Sequence, residues 1–500
     1  MGNAESSSLH RFQAKFIPEE QAILDDVFDA MTGSGASDDQ KGRKAAKKQV
    51  TLDLLRAYTK GTLQESMMVR LYDGMRSMDT AGKSLSWTQN VSKEQFVMFV
   101  AYVLQGTAEE RSLVVRSMVS SDDSGPVRES QLREFAEELI VSTVQLLESE
   151  QLLRGWNLER MGDGAIGAKQ LATHLVSQLK PQGEGLQVGA LASADYGRAE
   201  LEDWVYRVPH VSTFLRLVVT MGLRMSKPQA PTELFNVNKQ VLPLCKVERW
   251  GELLSVLEPP SIIYLNSNLP AELQGRWQLL FSSRAHGESF SRLSGQIVQK
   301  GPSLLIIKDS DGHIFGGFAS QSWDVKPQFQ GDSKCFLFTL SPQLGMYTCT
   351  SYNNHYMYLN HGQQTMPNGL GMGGQHNYFG LWIDSDYGTG HSKAKPRCTT
   401  YNSPQLSGKE NFAIDVLEVW AVGASPKKMN VSKRSLALRH NCAVKRIYCY
   451  ESHLARLEHR NKSRRTFSLS RHSIGSWLIC TSNPFTLYTP YPLIPQPNNN

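Results

Sequence analysis

Residues 277–420 consist of short runs of apolar, β-branched and aromatic side chains that are separated by glycine and other turn-forming residues. Ser303–Ile307 and His313–Phe315 are two such runs, and Asp311-Gly312 between them suits a tight turn because glycine accepts positive φ. Many short strands joined by turns, with few helices among them, pack as two antiparallel sheets. The sequence therefore predicts an antiparallel β-sandwich in this part of the chain.

The same stretch carries short motifs that recur, in the same order, in one known domain. They are Trp277–Ser283, His286–Phe290, Phe315–Phe318, Cys335–Phe338, Tyr378–Asp384, Cys398–Tyr401 and Glu418–Trp420. On these motifs, residues 244–424 resemble a TLDc domain. The resemblance implies two sheets packed face to face with a few helices outside them, and a binding module that has no established catalytic centre.

Residues 16–225 contain apolar residues at helical spacing, interrupted by glycine-bearing breaks. Two long breaks end at Val50 and Val91, and a helix is expected after each of them. We predict an all-α, EF-hand-like region of four helix–loop–helix units in two pairs. The predicted fold class of the whole chain is therefore α+β.

Two later breaks look like degenerate calcium loops, which need oxygen ligands at fixed positions, a central glycine and an apolar residue two positions further on. With Gly125 as the glycine, the apolar residue is Val127; with Gly164, it is Ile166. The first loop lacks the final bidentate carboxylate, and the second has Met161 where an oxygen ligand is needed. We predict no metal here, with a calcium-responsive sensor as an alternative.

The N-terminus matches the pattern for N-myristoylation, because Gly2 follows Met1 and Ser6 stands at the fifth position of the processed chain. Residues 1–15 are therefore predicted to be a flexible, myristoylated segment, with a plain disordered terminus as the alternative. One myristoyl chain holds a membrane only weakly, so a second signal is needed. The basic residues within 41–48 can provide it by contact with anionic lipid, or they form a solvated loop.

Residues 226–243 contain three prolines and are predicted to be a linker. The chain departs from the TLDc pattern after Gly423. Residues 427–471 hold thirteen Lys and Arg against two Glu, although the net charge of the whole chain is only +6. Residues 425–500 are accordingly predicted to be a basic, largely disordered tail. Nucleic-acid binding through this tail is a weaker alternative to a solvated tail.

Polar side chains are numerous but match no catalytic motif such as H-E-x-x-H or G-x-S-x-G. Seven cysteines without a C-x-x-C pair fit a reducing compartment. Arg397 precedes Cys398, but adjacent side chains on a strand point to opposite faces, so activation of that thiol is not expected. Buried structural roles are favoured for Cys335 and Cys398 over redox chemistry. We predict no enzyme activity and no cofactor. The residues that could in principle act as acids, bases or metal ligands are His286, Glu288, His355, His361, His376, Asp384 and Glu418.

Loops on a β-scaffold commonly carry function, so the predicted binding surface lies around residues 352–355 and 369–377. The glycine-rich run 367–374 is interpreted as a backbone turn, since no Lys-Ser/Thr follows it as in a phosphate-binding loop. Asp384-Ser385-Asp386 is interpreted as a hydrogen-bonded loop rather than a cation site. The predicted binding residues are Tyr352, Asn353, His355, Gly371, Gly374, His376 and Asp384.

The resemblance also carries expectations about function. TLDc proteins bind peripheral subunits of the vacuolar proton-pumping ATPase, and those with an acylated N-terminus and a helical EF-hand-like half are associated with lysosomes and mTOR signalling. It implies a non-catalytic adaptor in the cytoplasm and on the cytosolic face of the lysosomal membrane, held there by myristate. The implied partners are mTOR complex components and the ATPase. An oxidation-resistance protein and a calcium-responsive sensor are the alternatives.

Overall fold

A computed structural model gives the fold of most of the chain up to Gly423. The residues that it describes are 11–33, 48–79, 88–120, 125–153, 155–156, 158, 165–179, 195–225, 233–235, 241–246 and 254–423. The predictions for Gly2, for the basic residues within 41–47 and for the tail 425–500 lie outside these residues, as does most of the linker 226–243.

The N-terminal half is helical, as predicted. Its helices are α1 Pro18–Met31, α2 Leu52–Thr59, α3 Glu65–Arg76, α4 Lys93–Gln105, α5 Ala108–Val119, α6 Glu129–Ser149, α7 Ala165–Val176, α8 Arg198–Arg207 and α9 Pro209–Gly222. Local sequence sets several of these starts. Ser92 and Gln95 form a reciprocal capping box at α4, and Thr107 and Glu110 do the same at α5.

Two-residue strands join these helices in pairs. The strands are β1 Gln49–Val50, β2 Val91–Ser92, β3 Val127–Arg128 and β4 Asp195–Tyr196. Val50 pairs with Val91, and Val127 pairs with Tyr196, each in an antiparallel register. The helix–loop–helix units are thus joined two by two.

The prediction for the fourth unit was wrong. Ile166 was assigned the apolar position of its loop, but it lies in the first turn of α7 and is 68% exposed. Tyr196, which is 4% exposed, takes that position instead and leads into α8. Gly164 fits the central glycine of a calcium loop, but helix α7 begins at the next residue, Ala165. The predicted loop was therefore placed one helix too early in the chain.

The C-terminal half is rich in antiparallel β-structure, as predicted. Its helices are α10 Pro259–Asn268, α11 Ser283–His286 and α12 Phe290–Ile297. Its strands are β5 Leu244–Lys246, β6 Arg276–Ser282, β7 Ser303–Asp309, β8 Ile314–Ala319, β9 Lys326–Gln330, β10 Phe336–Ser341, β11 Gly345–Thr348, β12 Met357–Asn360, β13 Gly369–Gln375, β14 Tyr378–Asp384, β15 Thr389–His391 and β16 Asn411–Val422.

One long strand, β16, connects the two sheets. Its first residues pair with β15, in the run β15-β14-β13-β12-β9, and its last residues lie between β7 and β6, with β8, β10 and β11 beyond β7. The sheets face each other, because a methyl group at Gly317 of β8 would collide with Met372 of β13. Leu305 and Leu337 from one sheet share a buried cluster with Met372 and Leu381 from the other. This packing confirms the predicted sandwich.

Two glycine-containing segments were predicted to be turns, and only one of them is a turn in the structure. Gly312 adopts a φ of +87° in the β7–β8 hairpin, as predicted, and Asp309 Oδ1 accepts the backbone N–H groups of Asp311 and His313 at 3.0 and 2.8 Å. The run at 367–374 was predicted to be a turn, and this was wrong. Most of it forms β13, which is paired with β12 on one side and β14 on the other.

Three tryptophans pack where the helical half meets the sandwich. The ring of Trp156, which follows α6, lies 5.6 Å from that of Trp277 and 5.1 Å from that of Trp420. Its indole N–H donates to the Pro243 carbonyl at 3.2 Å. Burying such large rings is strongly stabilising, and it ties the two halves together. Within the described residues, no helix is long and apolar enough to cross a membrane.

Candidate functional site

The loop before β12 is fastened by the side chain of Asn353. Its Oδ1 accepts the backbone N–H of His355 at 3.1 Å and the Thr400 hydroxyl at 2.7 Å. Its amide group donates to Thr399 Oγ1 at 3.2 Å. The preceding residue, Tyr352, is 78% exposed. The anchored loop therefore presents a large aromatic side chain to solvent from a fixed backbone.

His355 and His376 meet on one aromatic ring, that of Phe329 on β9. His355 lies 4.0 Å from Phe329 at an interplanar angle of 11°, and His376 lies 5.1 Å from it at 28°. We call these residues the three-ring stack. His355 Nδ1 is 2.6 Å from the carbonyl oxygen of Gly374, and since a carbonyl only accepts, Nδ1 carries the proton. Burial and the nearby His355 lower the pKa of His376, which keeps it neutral at pH 7.

Strand β13 lies beneath the three-ring stack. We call it the bare strand because its glycines, which include Gly371 and Gly374, have no side chains. A Cβ at Gly371 would lie 2.6 Å from the ring of Phe379 and 2.9 Å from that of Trp382, so these rings occupy the space of the missing side chain. Gly374 has a φ of +82°, and a side chain there would collide with the carbonyl of Tyr378. Both glycines are buried. They support the aromatic rings and do not themselves face solvent.

Asp384 is used within the fold. Its Oδ1 accepts the indole N–H of Trp382 at 2.7 Å, and its Oδ2 accepts the Thr389 hydroxyl at 2.8 Å. These bonds fix the orientation of the Trp382 ring above the bare strand. The carboxylate therefore positions an aromatic side chain.

Sequence reasoning missed Phe329, which joins the two histidines. Lys326–Gln330 contains a proline and three polar residues, and this composition hides a strand. The available signal was alternation, because Val325, Pro327 and Phe329 are apolar at every second position. Tyr352, Asn353, His355 and His376 were predicted and lie at this end of the sheet.

Comparison with known proteins places this chain in a family. The model of the TLDc domain matches residues 254–423. The MTOR-associated protein MEAK7 of Gallus gallus is 54% identical over 430 residues, which cover 85% of this chain and 91% of that protein. MEAK7 of Homo sapiens is 46% identical over 435 residues, 87% of this chain and 92% of that protein.

This chain belongs to the MEAK7 family. Oxidation resistance protein 1 of Bos taurus is also similar, at 36% identity, but over only 168 residues, 33% of this chain and 18% of that protein. The likeness to MEAK7 proteins thus spans both halves of the chain.

The thiols of this MEAK7 relative are poorly suited to redox chemistry. Cys335 and Cys398 are buried, and burial raises the pKa of both. Arg397 Nη1 donates to the Asn402 carbonyl at 3.0 Å. Thiolates are the reactive form, so both cysteines are expected to react slowly.

The other polar candidates are held in separate places. Glu418 is buried in β16, His286 stacks on Phe281 at 5.6 Å, Glu288 is exposed, and His361 packs beside a phenylalanine. Within the part of the chain that the structure describes, no group of three or more His, Cys, Asp and Glu is arranged to hold a metal ion. The aromatic surface around the three-ring stack combines half-buried stacked rings and an exposed Tyr352 with a rigid support.

Proposed function

We propose that this chain is a non-catalytic adaptor that associates with mTOR, and that it docks a protein partner on the three-ring stack and the adjoining Tyr352 loop. The observation that carries the proposal is the identity to proteins named MTOR-associated protein MEAK7 over nearly their whole length.

The geometry of the surface supports a binding role. Exposed tyrosine is favoured at protein interfaces because it brings a large contact area at a low cost in side-chain entropy. Tyr352 is 78% exposed, and its loop is fixed through Asn353. His355 and His376 are tied to Phe329 by stacking. A rigid aromatic surface of this kind loses little freedom when a partner binds.

The proposal extends to the cytosolic face of the lysosomal membrane and to the peripheral subunits of the vacuolar ATPase. The membrane and ATPase parts of the proposal rest on the myristoylation pattern at Gly2 and on the resemblance to TLDc proteins. Gly2→Ala removes the acylation site. We expect reduced co-localisation with a lysosomal marker; unchanged localisation would count against the anchor.

The docking surface can be tested with matched tyrosine variants. Tyr352→Ala removes an exposed ring at the proposed surface, and Tyr206→Ala removes one of equal exposure, 77%, from α8. Capture of mTOR components and ATPase subunits by the full chain should fall about tenfold or more with Tyr352→Ala combined with His376→Ala, since central aromatic contacts dominate interfaces. Tyr206→Ala should leave it unchanged.

Two results would contradict the proposal at different levels. Equal capture by the double variant and the Tyr206→Ala control would remove the three-ring stack as the docking surface. Wild-type protein that captures neither mTOR components nor ATPase subunits would remove the adaptor itself.

A further inference from the structure

Two free cysteines face each other at the open end of the β10–β11 hairpin. The last pair of the hairpin register is Phe336 with Thr348, so the next position along both strands sets Cys335 opposite Cys349. Residues opposite each other on antiparallel strands have their Cα atoms about 4.5–5.5 Å apart. Disulfides join residues whose Cα atoms are about 4.4–6.8 Å apart. The backbone spacing at this position therefore suits a disulfide.

The side chains of both cysteines leave the hairpin on the same side. Alternate residues of a strand share a face. Leu337 and Tyr347 are paired across the hairpin and pack into the cluster between the two sheets, and Cys335 and Cys349 pack into the same cluster. Phe336, which lies between Cys335 and Leu337, packs instead into the cluster that includes the helical half. The two thiols are thus neighbours across the strands on one face.

The two thiols differ in their access to solvent. Cys349 is half-buried, whereas Cys335 is 1% exposed. Cys349 Sγ accepts the backbone N–H of Ser351 at 3.3 Å. Cys335 Sγ lies 3.1 Å from the Ser320 hydroxyl oxygen and accepts the Ser320 N–H at 3.4 Å. Sulfur is a weak hydrogen-bond acceptor, so a rotation of either side chain about χ1 gives up little.

We propose that Cys335 and Cys349 form a reversible disulfide when the protein meets a peroxide, and that this bond releases the loop that carries Tyr352. The thiolate of Cys349 attacks one oxygen of hydrogen peroxide, the O–O bond breaks, and Cys349 becomes a sulfenic acid while one water leaves. Cys335 then attacks that sulfur and displaces its oxygen as a second water. The two sulfurs lose two electrons, the peroxide gains them, and both thiol protons end in water.

The pair can do what neither buried thiol does alone. Burial raises the pKa of Cys335, so it is a poor first target for a peroxide, but it can react with a sulfenic acid held beside it. Cys349 supplies the missing access. Cys398 is placed differently, because its Sγ lies against Gly373 and Gly380 of the other sheet. A dithiol reductant reverses the disulfide by exchange.

The disulfide acts on the Tyr352 loop through Ser351. The φ of Ser351 is +65°, in the left-handed region that a serine rarely adopts. Its N–H donates to Cys349 Sγ, and this bond is lost when the sulfur turns towards Cys335. Such a conformation persists only while its surroundings hold it, so the exposed ring of Tyr352 should change position. The effect of this change on a partner rests on the proposed docking function of the loop.

The disulfide is tested on the reduced full chain without any partner. The protein is treated with hydrogen peroxide, free thiols are blocked, and the chain is cleaved after aromatic residues, several of which lie between the two cysteines. Mass spectrometry should find Cys335 joined to Cys349 in the wild type and in the control Cys245→Ala, which removes another half-buried thiol. A dithiol should remove the link. Absence of this link in the wild type, or a link from either cysteine to another thiol in its place, would overturn the proposal.

Single variants separate the two steps of the reaction. In Cys335→Ala, Cys349 should stop at the sulfenic acid, which dimedone labels. In Cys349→Ala, Cys335 should stay reduced because it is buried. Equal dimedone labelling of the wild type and Cys335→Ala would show that Cys335 does not resolve the sulfenic acid and would contradict the mechanism. A cooperative thermal transition shows that each variant is folded, and the wild-type result depends on no variant.

The effect on docking is measured as capture of mTOR components by the reduced and the oxidised full chain. Oxidation should weaken capture about threefold or more in the wild type and in Cys245→Ala, and less than about 1.5-fold in Cys335→Ala, because a mobile loop must be ordered again on binding. An equal loss in Cys335→Ala would overturn the release of the loop. Reduced wild type that captures nothing would count against the adaptor and would leave the disulfide result unaffected.

Discussion

The hydrogen bonds of the Glu418 carboxylate allow a direct test of how the sandwich fixes the segment before α10. Glu418 is fully buried in β16. It accepts the Ser255 hydroxyl at 2.8 Å, the indole N–H of Trp420 at 3.0 Å and the backbone N–H of Val256 at 3.1 Å. Ser255 Oγ also accepts the backbone N–H of Leu257 at 3.2 Å. We predict that Ser255→Ala destabilises the protein strongly although it removes a single oxygen.

The magnitude follows from the two bonds that are lost. A hydrogen bond to a charged group contributes about 1.5–3 kcal/mol, and an orphaned buried N–H costs about 1 kcal/mol or more, so the expected loss is about 2–4 kcal/mol in the free energy of unfolding. Burial raises the pKa of Glu418. The folded state thus holds the proton more tightly than the unfolded state, and stability falls as the pH rises through the folded pKa. Since the serine stabilises the ionised form, the deficit of Ser255→Ala should be larger at about pH 8 than at about pH 5.

The assay is urea unfolding of the full chain at both pH values for wild type, Ser255→Ala, Glu418→Gln and the double variant. In the Glu418→Gln background the loss should fall to about 1.5–2.5 kcal/mol, because the bond to residue 418 is then between neutral groups while the orphaned Leu257 N–H still costs about 1 kcal/mol. Ser291→Ala, at an exposed serine, should stay within about 0.5 kcal/mol of the wild type. A deficit that is the same at both pH values and in both backgrounds would refute the reasoning.

Two further predictions concern the sheet that contains β13. Gly371→Val should cost about 1–3 kcal/mol, because its side chain would collide with Phe379 and Trp382, whereas Gly295→Ala, in open space, should cost less than about 0.5 kcal/mol; chemical denaturation compares them. Burial lowers the pKa of His391 to about 4, so its protonation favours the unfolded state and stability should fall as the pH drops from about 6.5 towards 4. His391→Phe should reduce that slope in thermal unfolding; an unchanged slope would show that other groups cause it.

The sequence was informative where local chemistry decides the structure. The apolar runs at 303–307 and 313–315 and the Asp311-Gly312 turn between them predicted the β7–β8 hairpin. This prediction was possible because glycine accepts a positive φ whatever its distant neighbours are. The helices of the first half follow from spacing and from caps such as Ser92. The helical spacing of Val247, Trp250, Leu253, Leu254 and Leu257 predicts a helix at 247–257, and this prediction is wrong for residues 254–257, which are not helical. Its apolar spacing was real, but bonds to the distant Glu418 fix Ser255 and Val256 in another conformation.

The candidate site was harder to predict, because it is made by contacts between distant residues. His355 and His376 were selected as loop residues, yet their position depends on Phe329, which comes from an edge strand more than twenty residues away. Asp384 was selected for its charge and serves instead to orient Trp382. A sequence shows which side chains can bind a partner, but not which of them the fold already uses.

The bare strand β13 explains how such a surface can be rigid at a sheet edge. Because Gly371 has no side chain, rings from the strands on both sides meet above it, with Tyr358 5.5 Å from Phe379 and Phe379 4.4 Å from Trp382. Phe329 rests on this layer at 5.4 Å from Tyr358. The three-ring stack is thus supported from below by residues that no partner would touch. If the stack is the docking surface, Gly371→Val should weaken partner capture without removing any contact to the partner, because it disorders the layer on which the contacting rings lie.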